Sequence, residues 1–361
     1  MTVQPGLDTR SADRAREAAL PISGDQKFIA LTTVRQRSRW SRTVLAALLA
    51  VGVVGSCSSP AAAPSSPNPS PSNPSSWVPS LTPSEPPGSQ ATGELSQLFE
   101  VDGREIYLQC RGSGSPTIVL QSGYGNAADI WNAAAGSPPA VFEGTAGLSR
   151  VCAYDRPGSL RQFDDNGAEL PGITVGRSDT APMPRSGRAV VTELHDLLAA
   201  AGVPGPYVLV GHSLGGLFNL LYAQTNPDQV AGMVFIDATY PDLESLLDPA
   251  VWNSFSSPLA SPTSPIAGYD MEGYDLDGLM TEIAAAPGVP SVPAVFLFAD
   301  RAETGDSAFD SAYAAVLPEL REQFVARFPG ATSSVIPDTT HYIQVERPDA
   351  VIQAIVGLLA R

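Results

Sequence analysis

A chain of 361 residues has room for two or three domains at most. Acidic residues outnumber basic ones 37 to 21, the formal charge is −16, and Lys27 is the sole lysine. Eight of the basic side chains but only four of the acidic ones fall before residue 57, so the remainder is strongly acidic. Without a basic stripe to release phosphate counterions, the composition argues against nucleic acid as a partner. No apolar run reaches the roughly 18 residues of a membrane-spanning helix.

The chain opens with an address. Arg35, Arg37, Arg39 and Arg42 precede an apolar run from Val44 to Val54, and Gly55 and Ser56 lead to Cys57. A positive segment, about ten apolar residues and a small-residue exit mark an export signal. The run Val54-Gly55-Ser56-Cys57 resembles the lipobox of bacterial lipoproteins. That resemblance implies a lipid on Cys57 and a place on the outer face of the cell membrane. The alternative is an ordinary cleaved signal and a secreted protein. Positions 58–93 then hold 10 Pro and 11 Ser, too little apolar area to offset the entropy of ordering. The expected organisation is a tail and signal over 1–56, a disordered Pro/Ser-rich linker over 57–93, and a folded body over 94–361.

Within the body, short β-rich runs alternate with helical patterns. Strands are expected at Leu98–Val101, Glu105–Gln109, Thr117–Gln121, Arg150–Tyr154, Tyr207–Val210, Gly232–Ile236, Ala294–Phe298 and Ser333–Ile336. Helical periodicity covers Arg188–Ala201, Leu214–Thr225, Ala312–Arg327 and Asp349–Leu359. Continuous apolar strands such as Tyr-Val-Leu-Val suit the inside of a parallel sheet covered on both faces. The alternation argues one α/β domain. Two stretches break the rhythm: the polar Gly/Pro/Asp-rich residues 159–187, and residues 240–290 with a short helical piece near Asp277–Ala286. Loops this long inside a compact domain are usually functional.

Directly after the strand ending at Val210 comes Gly211-His212-Ser213-Leu214-Gly215-Gly216, followed by a helix. This is a G-x-S-x-G nucleophile elbow in its required setting. The serine occupies a sharp, strained turn, so the glycines two residues away on either side remove clashes. The turn also presents the Leu214 N–H at a helix N-terminus, where it can stabilise an oxyanion.

With Gln121-Ser122-Gly123-Tyr124-Gly125, Tyr154-Asp155-Arg156-Pro157-Gly158 and His341 before the last helix, this run resembles the α/β-hydrolase fold. The resemblance implies a mostly parallel eight-stranded sheet, helices on both faces and a small lid insertion at 240–290. It also implies a second oxyanion donor, the Tyr124 N–H, after Ser122-Gly123 where the family has His-Gly. The family's strand order makes the second and fourth strands neighbours, which brings Cys110 and Cys152 together as a disulfide outside the cytoplasm.

There are three histidines. His212 is fixed within the elbow and points away from the nucleophile, and His195 is mid-helix, in a structural setting. His341 follows the last strand, where the fold presents its base. The acid is open. The usual place after the seventh strand falls on Ala302, with Asp300 two residues early and Glu303 one late. Asp237, after the sixth strand, is favoured; Asp300 and Glu303 remain alternatives.

Two functions fit these residues. One is a serine hydrolase of a small-molecule carboxylic ester, lipid or amide, needing no cofactor or metal. The other is a non-catalytic surface binding or signalling protein, which the uncertain acid favours and the intact Ser213 and His341 oppose. Trp252, Phe255, Tyr269, Tyr274, Leu276 and Leu279 stand either to line an acyl pocket or to pack the lid on itself.

Overall fold

The computed structural model describes residues 93–136, 138–301 and 307–361. Cys57, the signal, the linker and Glu303 lie outside these residues. The strands are β1 (Leu95–Val101), β2 (Arg104–Arg111), β3 (Thr117–Gln121), β4 (Val151–Tyr154), β5 (Leu160–Phe163), β6 (Glu169–Val175), β7 (Tyr207–His212), β8 (Val230–Ile236), β9 (Ala294–Ala299) and β10 (Thr332–Ile336). The longer helices are α1 (Val141–Ala146), α2 (Gly187–Ala200), α3 (Leu214–Thr225), α4 (Pro249–Ala260), α5 (Leu276–Ala285), α6 (Ala308–Ala326) and α7 (Pro348–Leu359).

The main sheet has 8 strands in the order β1-β2-β4-β3-β7-β8-β9-β10. β2 runs antiparallel to both its neighbours, and every pairing from β4 to β10 is parallel. Side chains alternate between the two faces, as the period of two demands. Val119, Leu209, Phe235 and Phe296 pack on one side, against α2, α3 and α6. Ile118, Val208, Val210, Val234 and Leu297 pack on the other, against Trp131, α1 and α7. Burial on both faces is why these strands read as unbroken apolar runs. Helix α2 starts where the Ser186 hydroxyl accepts the Ala189 N–H, and it buries Val190, Val191, Leu194 and Leu197 on one stripe.

Antiparallel register places Cys110 directly opposite Cys152, their Cα atoms 4.1 Å apart, and a disulfide joins them.

Residues 159–187 are not a structureless loop. They hold the hairpin of β5 and β6, whose Pro171 and Gly172 hide the alternation a strand would show. The hairpin is fastened to the body. Asp129 accepts the N–H groups of Gln162 and Phe163, and Asp155 pairs with Arg177 at 2.8 Å.

Residues 240–290 contain a four-residue helix at Leu243–Leu246 and the longer helices α4 and α5, rather than one short piece. Their connection is also tied down: Glu272 N–H donates to Gly158 C=O, Arg185 N–H to Gly273 C=O, and Tyr274 N–H to Leu259 C=O. Gly158, at φ +82°, makes the first of these possible, because a Cβ there would stand 2.4 Å from the Glu272 nitrogen.

Candidate active site

The carboxyl ends of the central parallel strands converge on one edge of the sheet, the usual place for a site in such folds. Ser213 follows β7 at φ 52°, ψ −126°, a conformation that side chains rarely adopt. The surroundings hold it there. Ser213 N–H donates to Ile236 C=O, and Ser213 C=O accepts from Gly216 and Thr239.

The nearby glycines are steric necessities. A Cβ at Gly215 would lie 2.4 Å from the Gln121 carbonyl oxygen, and one at Gly216 would lie 2.4 Å from the Ala238 Cβ. Gly216 thereby lets α3 approach the turn that carries Asp237. Gly123 packs the facing loop onto the elbow, since its Cβ would stand 3.1 Å from the Ser213 Cβ. That loop is anchored by Ser122, whose hydroxyl accepts Trp131 Nε1–H and donates to the Ala127 carbonyl.

Strand register brings Asp237 level with Ser213. His212 pairs with Ile236 across β7 and β8, so Ser213 and Asp237 leave adjacent strands at the same level. Asp237 takes φ 38°, a region that Asp tolerates better than most residues. Its Oδ1 accepts the Ala299 N–H at 3.0 Å, and its Oδ2 lies 2.8 Å from His341 Nδ1. Burial alone would raise the Asp237 pKa, but the hydrogen bond and charge of His341 outweigh it and hold the carboxyl below its usual value. A carboxylate at Nδ1 keeps the proton there and leaves Nε2 as the basic nitrogen.

His341 sits on a fastened loop. Thr340 is bound through both its N–H and its hydroxyl to Glu346, and Thr339 C=O accepts Arg301 N–H. Asp300 faces elsewhere, accepting the Asp338 N–H. His195 pairs with its neighbour Asp196 on the surface.

Ser213, His341, Asp237, Tyr124 and Leu214 all line one cavity of about 270 Å³. Of the six aromatic and aliphatic candidates from 240–290, Phe255 and Leu276 line it. Trp252, Tyr274 and Leu279 are buried in the core, and the Tyr269 hydroxyl donates to Ser159 C=O. Arg156 and Glu272 form a buried ion pair beside the Ser122–Gly125 loop. Arg156 belongs to a motif visible in the sequence, but no local pattern marks Glu272.

His212 is 1 % exposed, and its Nε2–H donates to the His341 carbonyl at 2.8 Å. It does not simply turn away from the site: its ring lies 4.6 Å from that of His341. Burial, and then the neighbouring His341, push its pKa down to about 3. Protonation would bury a second N–H at Nδ1, where no acceptor stands among the described residues. The neutral ring is therefore the native form. As pH falls below about 6.5 the unfolded chain takes up this proton and the folded one does not, so stability declines until about pH 3. Every tenfold difference in proton affinity between the two states corresponds to about 1.4 kcal/mol. Urea unfolding at pH 7, 5.5 and 4.5 should show this decline in the wild type and a shallower one in His212→Gln. Parallel pH profiles would contradict it.

The model of the Alpha/beta hydrolase family matches residues 118–354, well over half of the chain, and the protein belongs to that family. Fold and site thus define the class, a hydrolase. YqjL of Bacillus subtilis (strain 168) is 29% identical over 152 residues, which make up 42% of this chain and 51% of YqjL. RutD of Klebsiella pneumoniae (strain 342), provisionally named a carbamate hydrolase, is 27% identical over 124 residues, 34% of this chain and 38% of RutD. The chain therefore spans about half the length of these relatives, or less. The crystal structure of a DBJA mutant shares the fold at a TM-score of 0.51 and 15% identity, over 74% of this chain and 98% of that one.

Proposed function

We propose that the protein is a serine hydrolase that cleaves carboxylic esters, with lipids or amides as the neighbouring substrate classes, through an acyl-enzyme on Ser213. The observation that carries this reading is the 2.8 Å contact of His341 Nδ1 with Asp237, next to a serine held on a strained elbow in the same cavity. His341 Nε2 takes the Ser213 proton as the hydroxyl attacks the carbonyl carbon. The same nitrogen then gives that proton to the leaving group. Asp237 holds the tautomer and stabilises the imidazolium. The N–H groups of Tyr124 and Leu214 receive the negative charge that develops on the carbonyl oxygen. Water, deprotonated by His341, then releases the acid.

Beyond the reacting groups the cavity wall is largely apolar, with Leu243, Phe255, Leu259, Met271, Leu276 and Leu317. Such a wall favours a hydrocarbon acyl group over a charged one, and the modest volume favours a short one. A panel of p-nitrophenyl esters of rising chain length, run beside peptide amides, tests the substrate class. The expected result is ester turnover with kcat/KM highest for short to medium acyl chains. Turnover of amides alone, or equal rates at every chain length, would overturn the reading of the pocket.

A further inference from the structure

Arg156 follows β4, and Glu272 comes from the connection between α4 and α5; both side chains are fully buried. Arg156 Nε and Nη2 donate to the two carboxylate oxygens of Glu272 at 3.0 and 2.8 Å. The rest of the pair's capacity is divided between the Tyr274 hydroxyl, 3.0 Å from Arg156 Nε, and one loop. Arg156 Nη1 donates to Ser122 C=O and Nη2 to Gly123 C=O, both at 2.7 Å. Glu272 Oε1 accepts the Gly125 N–H at 2.5 Å, and its Oε2 accepts the Tyr274 hydroxyl at 2.6 Å. Burial alone would lower the Arg156 pKa, but Glu272 overrides it and keeps the guanidinium charged.

The Gly123 carbonyl and the Tyr124 N–H belong to the same planar trans amide, so they point in opposite directions. A cation that fixes the carbonyl on one side therefore fixes the N–H on the other. A charge-assisted bond to the carbonyl also polarises the amide and makes its N–H a better donor. Gly125, the next residue along, is held by the anion of the same pair. Resting on the serine-hydrolase reading above, we infer that the Arg156–Glu272 pair is a positioning clamp that aims the Tyr124 N–H at the developing oxyanion. Glu272 makes the 240–290 insertion a structural part of that donor site. Neither side chain touches the substrate.

The test compares Arg156→Lys, Arg156→Met and Glu272→Gln with Glu193→Gln, which breaks the buried ion pair of Glu193 with Arg185 at 2.9 Å, a pair whose side chains bond to neither Arg156 nor Glu272. Three quantities are read in each folded variant: kcat, KM, and affinity for an alkyl boronate, which forms a negatively charged tetrahedral adduct on the serine. Losing one oxyanion donor typically costs about 10²–10³ in kcat. Arg156→Met and Glu272→Gln should approach that loss with KM nearly unchanged and boronate affinity falling in parallel. Arg156→Lys should retain more activity than Arg156→Met, since it keeps the charge but not the planar fork. Glu193→Gln should lower the melting temperature while leaving kcat and boronate affinity at wild-type levels. If Arg156→Met weakens boronate binding no more than Glu193→Gln does, the clamp is overturned and the pair is structural only. A wild type that neither hydrolyses esters nor binds the boronate overturns the serine-hydrolase reading, and the donor role with it.

Discussion

Asp237→Asn is expected to lower kcat by roughly 10⁴ while the protein stays folded. The Asn oxygen can still accept the Ala299 N–H that Asp237 Oδ1 accepts now. Its amide N–H₂, facing His341 Nδ1, cannot accept the imidazole proton. The ring then turns to the other tautomer, with the proton on the nitrogen that must act as base. Losing a carboxylate that only supports structure leaves the chemical step nearly intact. Asp300→Asn and Glu303→Gln are therefore expected to stay within about tenfold of wild type. Thermal melting must accompany the kinetics, because Asp237 also ties β8 to β9 through its backbone N–H to Leu297. Loss of activity in well-folded Asp300→Asn, with Asp237→Asn active, would move the acid to the end of β9.

Ser213→Ala and His341→Ala should each cost about 10⁶ in kcat, and the double variant should cost hardly more. The non-additivity follows from the mechanism. Without the base the hydroxyl is a poor nucleophile, and without the hydroxyl the base has no proton to take. A factor of 10⁶ corresponds to about 8 kcal/mol of transition-state stabilisation. What survives should be the contribution of the backbone donors and of binding, roughly 10³–10⁴ over the uncatalysed reaction. Rates from the two single variants and the double variant, on one ester, check this. Substantial activity in His341→Ala would place the base elsewhere. The other two histidines offer little: His212 is buried with its Nε2–H committed to His341 C=O, and His195 sits on the surface beside Asp196.

Elements are legible in this sequence where several local constraints coincide. The elbow needs a strand, two flanking glycines and a helix within a dozen residues, and all are contiguous. His341 stands out because histidine is scarce and the last strand is recognisable. The acid depends on a different kind of information. Spacing along the chain cannot choose between Asp237 and Asp300; what favours Asp237 in the proposed mechanism is the pairing of β7 with β8, which sets Ser213 beside Asp237. Long-range contacts are the least visible. Arg156 and Glu272 are 116 residues apart, and no pattern around either announces the other. The β5–β6 hairpin hides behind Pro171 and Gly172. Helix α4 hides behind its serines, although Asp248 as N-cap and Pro249 at the first helical position announce its start.

Ser213 is the activated nucleophile in everything proposed above, and a fluorophosphonate reads that role directly. Incubation of the folded protein with the reagent, followed by intact-mass measurement and peptide mapping, should find one covalent adduct, located on Ser213. The adduct should be absent from Ser213→Ala and strongly slowed in Asp237→Asn. A folded wild type that acquires no adduct, or one that acquires it at another residue, would contradict the assignment of Ser213.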